Sequence, residues 1–208
     1  IVKIDYLLIM PELEYREICP FCKSKKLNVL KSIALINDKF AGCLNIKNFN
    51  GVYNKWMKCD NCDLRFSSIS MNRSTQKRLY KNYRKIYNKC SNPSDYFQKL
   101  NSLPNSKSEN IAKIEILSKS LNNYNLDLSN FKNILDCGCG AGNMLFKLAQ
   151  RYPNLQCYGC EPTPEFAKYA NSILYNKIIN CYIEDFKSDL SFDLITLFHV
   201  FEHLIDPF

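Results

Sequence analysis

From Phe131 onward the apolar positions of the chain switch repeatedly between two periods. FKNILDC, LQCYGCE, KIINCYI and FDLITLF are short runs, rich in apolar residues, of the length that suits strands buried in a sheet. NMLFKLAQRY follows the first run and PEFAKYANSIL the second, each with apolar residues recurring every three or four positions, as on one face of a helix. Strands separated by helices need crossover connections, so this half predicts an α/β fold: a doubly wound, mainly parallel sheet of which four strands are present. Ahead of it Ile111, Ile114, Leu117 and Leu121 form an apolar stripe with Ser108 placed as the cap, which predicts a helix leading into the sheet.

The N-terminal part has a different grammar. Cys19-Pro20-Phe21-Cys22 and Cys59-Asp60-Asn61-Cys62 are two Cys-x-x-Cys knuckles, and Trp56-Met57-Lys58 reads as a strand running into the second. Two such knuckles brought together by strands supply four thiolates in the tetrahedral arrangement that Zn²⁺ takes, so Cys19, Cys22, Cys59 and Cys62 are the expected ligands of a structural Zn(2+). Two disulfides or unrelated free thiols are the competing reading; a reducing surrounding disfavours the disulfides. A third pair, Cys157 and Cys160, lies inside the run LQCYGCE and is explained by strand packing. Residues 1–70 are therefore expected to form a small zinc-ribbon-like β module.

Residues 71–107 read as a basic helical linker. MNRSTQKRLYKNYRKIY carries Arg73, Lys77, Arg78, Lys81, Arg84 and Lys85 without an acid, and sets Leu79, Tyr80, Tyr83 and Tyr87 at helical intervals. Basic residues interleaved with tyrosines can grip nucleic acid, whereas the plainer reading is a solvated basic face with the tyrosines packed inward. NPSD and SLPNSKSEN have the turn residues of a boundary, after which 108–208 form the α/β domain.

Composition changes this picture little. A chain of 208 residues, 46% hydrophobic, has room for one domain and a smaller module. The net charge of +8 is spread along the sequence instead of being concentrated, so it weighs little as a sign of an anionic partner. Apolar stretches such as Tyr6–Met10 fall far short of the roughly 20 residues of a membrane span, and no basic-then-apolar leader precedes them. Eleven cysteines, an odd number with several in strand-like runs, suit a reducing compartment. A soluble, cytoplasmic protein without a membrane span is the expectation.

The chemistry gathers around ILDCGCGAGN. Gly138, Gly140 and Gly142 form the turn from the first strand of the sheet into its helix, where glycine admits unusual φ angles and lets a ligand lie against bare backbone. Glu161 ends the next strand about 20 residues on, where a carboxylate takes both hydroxyls of a ribose, so the expected ligand contains a nucleoside. The spacing is G-x-G-x-G and Asp136 stands two residues before the first glycine. An acid there would repel a pyrophosphate but suits a cationic or amino-bearing ligand.

ILDCGCGAGN together with YGCEPTPEFAKYAN and SFDLITLFHVFEHLIDP resembles the class I S-adenosylmethionine-dependent methyltransferases, with their Rossmann-like fold, from Phe131 to the end of the chain. The last of these stretches is close to the group that contains ubiquinone-type and sugar methyltransferases. The cysteine knuckles and RLYKNY resemble the zinc-binding module that precedes this domain in methyltransferases of bacterial surface-polysaccharide and deoxysugar pathways. The resemblance implies S-adenosyl-L-methionine as cofactor, with Gly138, Cys139, Gly140 and Gly142 beneath it, Asp136 near the methionyl amino group and Glu161 on the ribose. The family often reads the adenine with an acid where this chain has Tyr182, which turns attention to the backbone of Ile183 and Glu184, or to Asp185. Phe198 and His199 are expected to face the methionine portion. Glu202 and His203 lie where relatives hold either a base or the ligands of a divalent cation; the alternative is that they pin their own helix. With an ordinary pKa of about 6.5, histidine suits removal of a hydroxyl proton, with His203 ahead of His199.

Class I domains have seven strands, so the chain reads as the N-terminal part of a longer protein. The implied reaction is displacement of the sulfonium methyl by an oxygen or carbanion of a small, sugar-like acceptor, a carbohydrate or nucleotide-sugar in surface-polysaccharide biosynthesis. The rival is a zinc-dependent nucleic-acid-binding module or RNA methyltransferase. LFHVFEH lacks the Asn/Asp-Pro-Pro-aromatic motif common in enzymes that methylate base nitrogens, which favours the first.

Overall fold

The computed structural model describes residues 13–34, 53–86, 92–175 and 177–205, with the side chains of 82–86 excepted. Tyr6–Met10, Tyr87 and the final Pro207-Phe208 lie outside the described residues, as do the side chains of Tyr83, Arg84 and Lys85. The chain divides into two compact units, Ile1–Lys89 with Leu204–Phe208, and Cys90–His203. No helix among the described residues is long and apolar enough to cross a membrane.

In the first unit the strands are β1 (Leu13–Tyr15), β2 (Leu27–Ala34), β3 (Tyr53–Cys59), β4 (Arg65–Ser67) and β5 (Ile69–Met71). β2, β3 and β4 form an antiparallel sheet in that order, and β1 pairs antiparallel with β5. Among the described residues the core around the cysteines is Cys19, Met57, Cys59 and Phe66, with Cys22, Leu27, Cys62 and Leu64 packed against it. The helix α1 (Arg73–Ile86) follows, its first turn capped by the Asn72 side chain, which accepts from the Thr75 N–H at 2.9 Å. Thr75, Gln76 and Leu79 are buried while Arg73, Lys77, Arg78 and Lys81 are exposed, so the described side chains of the helix bury one face.

The second unit begins with α2 (Pro93–Asn101), whose N-cap Asn92 accepts from the Ser94 N–H at 2.9 Å. Phe97 of this helix lies edge-on to Phe146 and Tyr169 at 5.2 and 5.5 Å between ring centroids. The stretch 71–107 thus divides, α1 falling within the first unit and α2 within the second, because Phe97 packs into the second core. Ser108 caps α3 (Glu109–Asn122) by accepting from Ile111 N–H, and Ile114 of its apolar stripe is fully buried.

Then come β6 (Asn133–Cys137), α4 (Asn143–Arg151), β7 (Gln156–Cys160), α5 (Pro164–Ile173), β8 (Ile178–Ile179) and β9 (Leu194–Thr196). All pairings are parallel and the order is β8-β7-β6-β9. Ile134, Leu145, Leu148, Ala167 and Ala170 pack together between sheet and helices, as the two periods require. Asp193 ties the start of β9 to β6: its Oδ2 accepts from the backbone N–H of both Lys132 and Asn133 at 2.8 Å, which holds its carboxyl below the usual range. Two strands are much shorter than their sequence runs, and FDLITLF pairs only through Leu194–Thr196. KIINCYI pairs only through Ile178 and Ile179, after which the Asn180 amide donates to the Glu161 carbonyl at 2.8 Å and the chain bends into a 3₁₀ turn, Ile183–Asp185.

Candidate functional site

With β7 and β8 on one side of β6 and β9 on the other, the chain reverses direction across the sheet at β6. The carboxyl end of β6 is therefore the switch point, where open α/β sheets leave a crevice for ligands. The glycine turn starts there. The Gly138 and Cys139 N–H groups both donate to the Cys160 carbonyl, at 2.8 and 3.1 Å, folding the turn over the end of β7. Gly138, Gly140 and Gly142 have φ of +74°, +60° and +80°, a left-handed backbone that side chains disfavour. Two of the three are also needed by the protein's own packing: a Cβ on Gly138 would stand 2.5 Å from Val200 Cγ2, and one on Gly142 3.0 Å from Leu174 Cδ1. Cys139 lies over Gly159 in the same way, and burial pushes its thiol well above the ordinary range, so it acts as a small neutral side chain.

The two acids meet this turn differently. Glu161 is 3% exposed and grips the loop with both oxygens, Oε2 accepting from Gly140 N–H and Oε1 from Thr163 N–H, each at 2.9 Å. Asp136 is buried and its Oδ1 accepts from the Thr196 hydroxyl at 2.7 Å, across the register pair that joins β6 to β9. Burial raises the Asp136 carboxyl to about 7; the Thr196 hydrogen bond and the charge of Lys113 oppose that rise, while Glu161 adds to it.

Past β9 the half-buried Phe198 ring has Lys113 Nζ at 5.4 Å from its centroid. His199 has φ of +57°, and its Nε2 lies 3.1 Å from Glu109 Oε1 while its Nδ1 lies 3.6 Å from Glu202 Oε1. Glu109 Oε1 is also paired with Lys113 Nζ at 2.8 Å, chiefly through which the Glu109 carboxyl is lowered. Glu202 and His203 belong to a short exposed 3₁₀ turn, Phe201–His203, whose His203 N–H donates to the Val200 carbonyl. Ile183 and Glu184 sit in the turn after β8, with Ile183 packed against Leu135, Cys137 and Cys160. The structure thus gathers Asp136, Gly138, Cys139, Gly140, Gly142 and Glu161 at one strand end and joins His199 to Glu202. Three partners escaped the sequence reading: Thr196, Glu109 and Lys113. Thr196 left a trace, a polar residue amid the apolar residues of LITLF; the two α3 residues left none beyond the ordinary charges of a helix's first turns.

The four cysteines converge as expected of the knuckles. In each, the N–H four residues after the first cysteine donates to its carbonyl and that cysteine's own N–H donates to the carbonyl five residues on: Lys23 to Cys19 and Cys19 to Ser24, Asp63 to Cys59 and Cys59 to Leu64, all at 2.9 to 3.0 Å. Lys23 and Asp63 share φ of +59°. The sulfurs of Cys19 and Cys62 lie 3.6 Å apart and those of Cys22 and Cys59 3.5 Å, with all four ligand atoms within 4.8 Å of one another. Zinc–sulfur bonds of about 2.3 Å in a tetrahedron put sulfurs about 3.8 Å apart, so the donor set fits Zn²⁺ with little adjustment. Cys157 and Cys160 are both buried in β7. The full chain is expected to carry about one tightly held Zn²⁺, measured by elemental analysis, and Cys59→Ser to lose it together with the first unit's fold. A full complement of tightly held metal in that variant would refute four-cysteine ligation.

A glycine turn at the switch point of a parallel sheet, locked by a buried acid at the end of the neighbouring strand, defines the class of nucleoside-cofactor sites. Within it, residues 135–208 match the family described as a methyltransferase domain. No curated protein matches the chain. Among solved structures it is similar to the plantazolicin methyltransferase BpumL in complex with a pentazolic desmethylPZN analog and SAH, at 22% identity over 64% of this chain and 49% of that one, with a TM-score of 0.47. It is similar also to CalS10, an amino pentose methyltransferase from Micromonospora echinaspora (20% identity, 45% and 38% of the two chains, TM-score 0.37). A third is the sugar N-methyltransferase KedS8 from Streptoalloteichus (20%, 50% and 39%, 0.38). The chain spans about half the length of the first of these.

Proposed function

We propose that the second unit binds S-adenosylmethionine and that the protein transfers its methyl group to a small acceptor, a carbohydrate or nucleotide-sugar. The observation that carries this reading is Glu161, held on the glycine loop by two N–H groups at the end of β7. Each carboxylate oxygen keeps a second lone pair, so a ribose diol can hydrogen-bond to the latch without breaking it. The bound cofactor supplies an electrophilic methyl group. Gly138, Cys139, Gly140 and Gly142 provide its backbone floor, Asp136 meets its amino end, Phe198 faces the methionine portion and the backbone at Ile183 and Glu184 reads the adenine edge, with Asp185 as the alternative. His199, held between Glu109 and Glu202, positions the segment after β9, while His203 takes the acceptor proton. Zn²⁺ on Cys19, Cys22, Cys59 and Cys62 has a structural role.

The test is methyl transfer from labelled S-adenosylmethionine by the full-length protein, with nucleotide-sugars and RNA offered in parallel. Nucleotide-sugar labelling is expected. His203→Ala should lower turnover about 10²-fold or more with S-adenosylhomocysteine affinity within about twofold, since a base acts on the acceptor in the transition state. Preferential binding of NAD would overturn the cofactor assignment, and labelling of RNA alone would overturn the acceptor. A requirement for Mg²⁺ abolished by both Glu202→Ala and His203→Ala would make that pair a metal site.

A further inference from the structure

The first unit has a cleft of about 660 Å³ that the methyl-transfer reading does not use. That volume is in the range of small-molecule sites. Its apolar lining includes the buried Met57 and half-buried Leu27. The same lining carries Arg16, Lys25 and Lys55, with Glu17 as the one acid among the described lining residues, together with Tyr15 and Tyr53.

The cations are placed by rigid backbone. Ser68, 7% exposed, stitches two strand segments together: its carbonyl accepts from Arg16 N–H at 2.8 Å, its N–H donates to the Lys55 carbonyl at 2.7 Å, and its hydroxyl accepts from Lys55 N–H at 2.9 Å. The Arg16 guanidinium donates to the Ile205 carbonyl at 2.6 Å, which fixes its direction. Lys25 follows the first cysteine knuckle directly, so its position depends on the knuckle's fold.

We propose that this cleft binds a nucleoside diphosphate, the diphosphate among Lys25, Lys55 and Arg16 and the base against a tyrosine ring. An excess of cations on a fixed frame favours a compact polyanion, and aromatic faces beside it favour a flat ring. Its use as the anchor of a nucleotide-sugar acceptor rests on the proposed methyl transfer; the binding itself does not.

Calorimetric titration of the zinc-loaded full chain with UDP, inorganic pyrophosphate and a short oligouridine tests it. UDP is expected to bind one to one and more tightly than pyrophosphate, with Lys25→Ala and Lys55→Ala each weakening it about fivefold or more. The seam at Ser68 runs through the Lys55 backbone, so Lys55→Ala keeps it, and unchanged zinc content verifies the fold. Tyr15→Ala with Tyr53→Ala should weaken UDP and leave pyrophosphate unchanged. Failure of UDP to bind, or equal binding by wild type and both lysine variants, would overturn the site; tighter binding of oligouridine, lost in the same variants, would replace it with a nucleic-acid surface. S-adenosylhomocysteine titrated in the same samples separates the two readings: UDP binding without it leaves the cleft standing and removes methyl transfer, and the converse removes the cleft alone.

Discussion

Glu161→Ala is expected to cost the protein both its cofactor and a large part of the second unit's stability. The side chain is almost wholly buried, and its removal strands the N–H groups of Gly140 and Thr163. Each unsatisfied donor costs about 1–3 kcal/mol, so the pair takes about 2–6 kcal/mol from a domain whose total is about 5–15. Affinity for S-adenosylhomocysteine should fall tenfold or more, since in the proposed site the ribose would lose a charged acceptor worth about 1.5–3 kcal/mol. Glu161→Gln should rescue only in part, because its NH₂ must face one of the two N–H donors. Urea midpoints and calorimetry read both effects; a Glu161→Ala protein with wild-type midpoint and affinity would show that the carboxylate neither holds the loop nor binds the cofactor.

Gly138→Ala should be nearly as damaging for a different reason. At φ of +74° a Cβ costs about 1–2 kcal/mol, and here it also meets Val200 Cγ2 at 2.5 Å. Valine is stiff about χ1 and cannot swing a long end away, which adds about 1–3 kcal/mol of overpacking. Gly138→Ala with Val200→Ala should therefore lose less than the two single changes summed, leaving chiefly the backbone cost. Strict additivity in thermal or urea unfolding would mean that the segment after β9 does not rest on the glycine turn.

How much of this was legible in the sequence depended on range. The periods of NMLFKLAQRY and PEFAKYANSIL mark helices because each is a local amphipathic pattern, and observed α4 and α5 end within a residue of those stretches. The paired knuckles were legible because their spacing encodes a local turn made twice. KIINCYI was over-read: an apolar run does not reveal where Asn180 will leave the ladder to bond the Glu161 carbonyl. The glycines were read as space for a ligand, yet Val200 lies 62 positions beyond Gly138 and Leu174 beyond α4, β7 and α5, so the neighbours that also demand glycine were invisible. The meeting of Glu109 and His199 spans 90 positions and joins a helix's first turn to a left-handed residue, neither of which has a local signature for the other.

Asp136 carries a consequence for proton traffic. Its carboxyl, raised to about 7 by burial, holds a proton at pH values where an ordinary aspartate has none. An ammonium group lodging beside it favours the ionised form, so arrival of a cationic amine expels that proton into solvent. On the proposed reading, capture of the cofactor's amino end below about pH 7 would release that proton and strengthen as pH rises, until the carboxyl is already ionised.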